Sequence, residues 1–130
     1  HVHVLDEFNN FMEEEIYQMM VATTEDQDEL ILENTTTLKV ARWWNRACDI
    51  IPCNGGKDIG IQKILDYFNF NKEEAMAFGD GGNDISMLKY VGTGVAMGNA
   101  KDDVKAIADY ITDSVQEDGI VSALKHFDIL

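Results

Sequence analysis

Two acidic side chains and one amide lie close together in the segment AFGDGGNDISML, residues 77–88. Asp80 follows a short apolar stretch directly, and Asn83 and Asp84 come just after a Gly-Gly pair. Carboxylate oxygens are ligands that Mg²⁺ prefers, and the start of a helix favours anions. Glycines let the backbone turn tightly and approach a ligand. The segment therefore indicates a metal and anion site, although an ordinary acidic turn with a capping Asp remains the alternative.

Lys57 is the second residue whose position indicates chemistry. It follows Gly55-Gly56 and precedes an amphipathic segment, residues 58–68, that is predicted to be a helix. A lysine at a helix N-terminus works against the helix dipole, and such a local conflict often marks a function. Its ammonium could neutralise a phosphate or hold a carboxylate ionised. The alternative is a solvated surface lysine.

The strongest break in the sequence separates these residues from the first part of the chain. Pro52 is the only proline, and Asn54-Gly55-Gly56 follows it, which predicts a junction between domains at residues 1–53 and 54–130. The first part has mixed, α+β character, and we expect Trp43 and Trp44 to serve in packing. Its predicted elements are helices at residues 5–13 and 25–33 and strands at residues 16–23, 38–44 and 47–51.

The second part alternates between predicted strands and helices, which indicates a parallel sheet covered by helices. Ligands bind at the carboxyl ends of such strands, and Asp80 follows one of these ends. Asn99 and Asp118 are predicted helix N-caps. The strands are predicted at residues 75–78, 94–97 and 110–111, and the helices at residues 58–68, 84–89, 100–108 and from Asp118 onward. Three short strands are too few for a stable sheet, so we expect a fragment whose first half is missing.

Composition restricts the classes of partner. A formal net charge of −14 repels phosphate backbones and argues against nucleic-acid binding. No apolar run approaches the length of a membrane-spanning helix, and no signal peptide is visible. The two cysteines, Cys48 and Cys53, form no zinc-binding pattern. We expect them to be reduced thiols in a cytoplasmic protein.

Three segments together resemble a known family. AFGDGGNDISML, GTGVAMGNAKDDVKAIADYIT and EDGIVSAL are similar, in order and spacing, to the C-terminal portion of haloacid dehalogenase (HAD) superfamily phosphatases of the Cof-type, IIB-capped family. The resemblance implies an α/β fold: the C-terminal part of a HAD-like Rossmannoid core, preceded by part of an α+β cap. It also implies Mg²⁺-dependent hydrolysis of small phosphorylated metabolites, such as sugar phosphates, through an aspartyl-phosphate.

The same resemblance assigns roles to individual residues. Asp80 matches a metal ligand, and Lys57 matches the lysine that holds the phosphate and the nucleophile. Asn83 matches a contact to the substrate phosphate. Asp84 matches a second acid that supports the metal shell and orients the lysine. Residues 1–53 resemble the second half of the cap, whose role in the family is substrate selection.

One element of the family pattern is absent from the sequence. The nucleophile of the family lies in an Asp-x-Asp motif at the end of a first strand, and the only Asp-x-Asp here is Asp26-Gln27-Asp28. It lacks the preceding apolar strand and the following Gly-Thr, so we reject it as the nucleophile. We therefore expect the missing N-terminal half of the same protein to complete the site, and the chain alone to be inactive. The alternatives are a non-catalytic truncated binding module and, less strongly supported, a phosphotransferase or phosphomutase.

Overall fold

The computed structural model describes residues 15–130, so the helix predicted at residues 5–13 lies outside the described residues. The first part of the described chain contains an antiparallel sheet with the strand order β1-β3-β2. Its strands are β1 (Met19–Val21), β2 (Leu38–Trp44) and β3 (Ala47–Pro52), and a 3-10 turn (Glu25–Gln27) and a short helix (Asp28–Leu32) precede β2.

The second part contains a parallel sheet with the order β4-β5-β6, as the alternating pattern predicted. Its strands are β4 (Met76–Gly79), β5 (Thr93–Ala96) and β6 (Tyr110–Ile111). The helices between and around them are Lys57–Phe68, Ile85–Tyr90, Asp102–Lys105 and Gly119–His126, with 3-10 turns at Lys72–Glu74, Gly82–Asp84 and Val115–Glu117. The α/β fold class is thus confirmed. The two sheets lie on either side of the predicted boundary at residues 53 and 54, which itself stays a prediction.

The core of the second part forms where the helices cover the parallel sheet. Small and branched side chains dominate it, which lets helices approach the short strands closely. The buried members are Ala77, Leu88, Val91, Ala96, Ala100 and Val104. The Lys57–Phe68 helix contributes no fully buried side chain, and Ile61 is its partly buried contact with this core. This core fixes the position of the loop after β4.

Three predicted elements are shorter in the structure, and one of them is the helix predicted at residues 25–33, whose α-helical part is Asp28–Leu32. The strand predicted at residues 16–23 is limited to β1, and the helix predicted at residues 100–108 is limited to Asp102–Lys105 with Lys101 at its N-cap. Asn99 is therefore not a helix cap. Asp118 does occupy the N-cap position of the last helix, but it is left-handed, with φ 55°, and its side chain makes no capping hydrogen bond.

The tryptophan pair is only in part a packing pair. Trp43 is partly buried, but Trp44 is 52% exposed at the end of β2. The pairing register of β2 with β3 is irregular between Arg42 and Trp44. The packing prediction is therefore wrong for Trp44.

Candidate active site

Asp84 is the centre of the candidate site, and both oxygens of its carboxylate accept hydrogen bonds. Oδ2 accepts hydrogen bonds from the backbone N–H groups of Asp80 and Gly81, each 3.0 Å long. Oδ1 accepts a hydrogen bond from Nζ of Lys57, in an ion pair. Only 5% of the residue is exposed. Both oxygens are thus engaged, so Asp84 is suited to holding other groups in place.

These bonds determine the charge of Asp84. Burial raises the pKa of this carboxyl group, but the hydrogen bond from Lys57 and the two backbone amides outweigh burial and leave the pKa below its usual value. Asp84 is therefore ionised at neutral pH, and it holds the Lys57 ammonium beside the end of β4.

Gly79 permits this arrangement. It is the last residue of β4, and a Cβ atom at this position would lie 2.5 Å from Cβ of Asp84. Gly56 has a similar role before Lys57, because its φ of 135° is a conformation that other residues rarely adopt. The two glycines explain how Asp84 and Lys57 approach each other from segments far apart in the sequence.

Asp80 projects from the same edge of the sheet and is exposed. Its Oδ2 accepts a hydrogen bond of 2.9 Å from Nδ2 of Asn99, while Oδ1 of Asn99 accepts one of 3.0 Å from the backbone N–H of Val115. Asn99 thus connects Asp80 to the loop after β6. Oδ1 of Asp80 has no hydrogen-bond partner among the described residues, which leaves a hard oxygen donor available.

Two cavities meet at Lys57. A cavity of about 420 Å³ is lined by Lys57, Asp80 and Asp84, together with Met97 and Val115. A larger cavity of about 590 Å³ lies between β2, β3 and the loop after β4. Lys57 lines this one as well, as does Asn83, whose side-chain amide makes no hydrogen bond to a described residue. The four residues singled out in the sequence therefore lie around adjoining spaces.

The donor set fits Mg²⁺ in part. Among residues 15–130, no three His, Cys, Asp or Glu side chains form a group that could hold a metal ion. Mg²⁺ is commonly held by one or two carboxylates together with water and substrate phosphate. Asp80 can provide one such carboxylate, because one of its oxygens is available and Asn99 fixes the other.

Sequence reasoning missed Asn99 as a site residue and interpreted it as a helix cap. Its partners, Asp80 and Val115, are 19 and 16 positions away. Its position just after β5 could have indicated a place near Asp80, because the carboxyl ends of neighbouring parallel strands meet at one edge of the sheet.

Comparison with known proteins agrees with the fold. Residues 1–124 match the family model of the haloacid dehalogenase-like hydrolases. The chain is 40% identical to YkrA of Bacillus subtilis over 116 aligned residues. The alignment covers 89% of this chain and 45% of YkrA. It is 43% identical to kanosamine-6-phosphate phosphatase of the same organism over 77 aligned residues. This alignment covers 59% of this chain and 27% of that protein.

A solved structure shares the fold across nearly the whole chain. The HAD subclass IIB sugar phosphatase BT4131 superposes with a TM-score of 0.86 at 44% identity, over 95% of this chain and 47% of that one. The chain thus spans about half the length of YkrA and of BT4131. No helix in the described part of the chain is long and apolar enough to cross a membrane. The chain belongs to the haloacid dehalogenase-like hydrolase family.

Proposed function

We propose that this chain provides half of the active site of a Mg²⁺-dependent phosphatase that acts on small phosphorylated metabolites, in particular sugar phosphates. The observation that carries the proposal is the Lys57–Asp84 ion pair, which two backbone amides anchor at the carboxyl end of β4, next to Asp80. An ammonium held in this way is pre-organised to bind a phosphoryl group. The names of the relatives BT4131 and kanosamine-6-phosphate phosphatase support the substrate class.

Each residue then has a defined task. Lys57 binds the phosphoryl group and lowers its repulsion of an attacking carboxylate, while Asp84 keeps the ammonium oriented. Asn83 donates its free amide hydrogens to phosphate oxygens. Asp80 holds Mg²⁺, and Asn99 keeps its carboxylate in position. A bound Mg²⁺ supplies positive charge that stabilises the phosphoryl group during displacement.

The attacking group is not in this chain. Asp26-Gln27-Asp28, the one Asp-x-Asp, lies at a 3-10 turn and the start of a short helix, and Asp28 forms an ion pair with Arg42. Asp28 is thus engaged in the first sheet. We propose that a segment from the other half of the protein brings the nucleophile, forms the aspartyl-phosphate and completes the site. The 130-residue chain alone is then inactive.

The organisation and location are part of the same proposal. Residues 1–53 form the C-terminal part of a cap and residues 54–130 the C-terminal part of the core. A cytoplasmic location is supported by the two cysteines, since Cys48 and Cys53 are both free thiols.

The test uses the complete gene product, meaning the polypeptide encoded by the full reading frame that contains these residues. We expect it to hydrolyse p-nitrophenyl phosphate in the presence of Mg²⁺, and chelation with EDTA to stop the reaction. Lys57→Met and Asp80→Asn should each lower kcat by at least about 100-fold, as loss of a charge-stabilising group does. Lys63→Met is the matched control, because Lys63 is an exposed lysine on the same helix. Full activity in Lys57→Met would contradict the proposal.

A further inference from the structure

Both ends of the Asn99 side-chain amide are hydrogen-bonded. Nδ2 donates a hydrogen bond of 2.9 Å to Oδ2 of Asp80, and Oδ1 accepts one of 3.0 Å from the backbone N–H of Val115. A backbone N–H can only donate, and a carboxylate oxygen accepts, so these two partners permit a single orientation of the amide. Asn99 therefore presents its NH₂ group to Asp80 and its oxygen to Val115.

The loop after β6, which provides the N–H donor to this amide, is itself held in place. The backbone N–H of Gly98 donates a hydrogen bond of 3.0 Å to the carbonyl oxygen of Asp113 in this loop. The packing is close, because a Cβ atom on Gly98 would lie 2.8 Å from the carbonyl carbon of Asp113. The buried Thr112 closes the loop, since its hydroxyl donates a hydrogen bond of 2.6 Å to the carbonyl oxygen of Gly119. The donor to the amide is therefore part of a fixed stretch of backbone.

The hydrogen bond from Asn99 makes the two oxygens of Asp80 different. Oδ2 accepts this bond, whereas Oδ1 has no hydrogen-bond partner among the described residues. A cation that approached Oδ2 would be repelled by the positively polarised amide hydrogen that is already bonded there. Asp80 is therefore prepared to bind a metal ion through Oδ1 alone, and a bidentate contact through both oxygens is disfavoured.

This difference between the oxygens affects which divalent ion the carboxylate suits. Mg²⁺ demands near-ideal octahedral coordination at short distances, whereas Ca²⁺ takes more oxygens, in flexible geometry and also from bidentate carboxylates. A carboxylate that offers one oxygen in a fixed direction meets the stricter requirement of Mg²⁺. It also withholds from Ca²⁺ the additional oxygen that a freely rotating carboxylate could provide.

We propose that Asn99 is a positioning residue that makes the metal site selective for Mg²⁺ over Ca²⁺, because it restricts Asp80 to one ligand oxygen. The proposal rests on one part of the proposed function, namely that Asp80 holds the metal ion. Asn99 itself binds neither the ion nor the phosphate. It acts through Asp80, and the backbone N–H of Val115 keeps its amide in the required orientation.

The test measures the dissociation constants of MgCl₂ and CaCl₂ for the complete gene product by isothermal titration calorimetry, without substrate. The readout is the ratio of Kd for Ca²⁺ to Kd for Mg²⁺. Asn99→Asp retains an oxygen for the N–H of Val115 but replaces the donor to Asp80 with an acceptor, and Asn99→Ala removes the donor without adding charge. Each should lower the ratio by about 10-fold or more, the contribution that groups orienting metal ligands typically make to affinity.

Controls separate this result from other causes. Asp80→Asn should weaken Mg²⁺ binding, and unchanged binding would overturn the proposal because the ion would lie elsewhere. Asn34→Asp is the matched control for added charge, because Asn34 is exposed and makes no side-chain hydrogen bond to a described residue. Its ratio should equal that of the unmodified protein, and a fall as large as in Asn99→Asp would overturn the proposal.

The decisive contrary result is an unchanged ratio in both Asn99 variants. If the affinities for the two ions fell equally, Asn99 would have only a structural role, and if neither fell it would have none at this site. Failure of the proposed function is a separate observation, because it is the absence of phosphate-ester hydrolysis by the unmodified protein, whereas the ratio is measured without substrate.

Discussion

At the scale of single residues, the site depends on one carboxylate with three donors. The ammonium of Lys57 and the backbone amides of Asp80 and Gly81 all bond to Asp84. These bonds pre-organise the loop after β4 before any ligand binds. The cost of burying a charge is offset because each oxygen is satisfied.

Replacing Asp84 with Asn should therefore destabilise the protein. An amide has one acceptor oxygen, so it cannot serve both Lys57 and the two backbone N–H groups. We expect the free energy of unfolding in urea to fall by about 1.5–3 kcal/mol at pH 7, the value of hydrogen bonds to a charged group. Asp66→Asn is the control, because Asp66 is exposed and makes no side-chain hydrogen bond to a described residue. Equal stability of the two variants would contradict this role.

The same variant tests the pKa of Asp84. This pKa lies below its usual value in the folded protein, whereas the unfolded value is about 3.9. The ionised carboxylate therefore contributes its stability above about pH 4, and this contribution is lost as the pH falls through the folded-state pKa. We expect the gap in unfolding free energy between the unmodified protein and Asp84→Asn to narrow below about pH 4. A gap that widens on acidification would contradict a lowered pKa.

Asn99 should act through Asp80. Asn99→Ala removes the donor to Oδ2 and frees the carboxylate to rotate. Residues that orient metal ligands typically contribute 10- to 100-fold to metal affinity, so the Mg²⁺ concentration for half-maximal activity should rise by about 10-fold or more. Asn34→Ala is the control, because Asn34 is exposed and makes no side-chain hydrogen bond to a described residue. An unchanged Mg²⁺ requirement would show that Asn99 does not position Asp80.

At the scale of elements, the sequence predicted well where its pattern was regular. Alternating apolar strands and helices predicted the β4-β5-β6 sheet, and the apolar spacing predicted the Lys57–Phe68 helix to within one residue. The strand predicted at residues 16–23 was too long for a local reason. Met19 pairs with Ile50, so Tyr17 would face Pro52, which has no N–H to donate to the ladder.

The helix predicted at residues 100–108 was too long for a different reason. The apolar spacing over so few residues does not distinguish a helix from a single turn. In the structure, Asp109 accepts a hydrogen bond from the N–H of Gly94, which ties the end of this segment to β5. The partners of Asp109 and Asn99 lie in other elements, so local patterns could not reveal them.

Replacing two glycines with alanine should change the free energy of unfolding in opposite directions. Gly79→Ala would force a Cβ atom to within 2.5 Å of Cβ and 2.9 Å of Cγ of the buried Asp84 side chain, so it should lower the free energy of unfolding by about 1–3 kcal/mol. Gly60 lies in the Lys57–Phe68 helix with nothing within 4 Å of its Cβ position. Gly60→Ala should raise the free energy of unfolding by about 0.5–1 kcal/mol. Thermal and urea unfolding of both variants would check the signs, and a stabilising Gly79→Ala would contradict the close approach.

At the scale of the whole molecule, we propose that the described chain contains a phosphate- and metal-binding edge without an attacking group. Lys57, Asp80, Asn83 and Asp84 surround adjoining cavities, but no Asp-x-Asp lies beside them. The types and spacing of these residues singled them out in the sequence, and the resemblance to a family assigned their expected roles. The cavity between the two sheets could not be read from the sequence, because it depends on how β2 packs against the loop at Gly82, where a Cβ atom would lie 2.9 Å from the carbonyl oxygen of Arg42.

The most direct test of the account measures Mg²⁺-dependent release of p-nitrophenol from p-nitrophenyl phosphate by two purified proteins. One is the 130-residue chain, and the other is the complete gene product. We predict no turnover above the buffer blank for the chain. We predict turnover by the complete gene product, which Lys57→Met lowers by at least about 100-fold. Sustained Mg²⁺-dependent turnover by the 130-residue chain itself would contradict the central claim, because the attacking group would then lie within these residues.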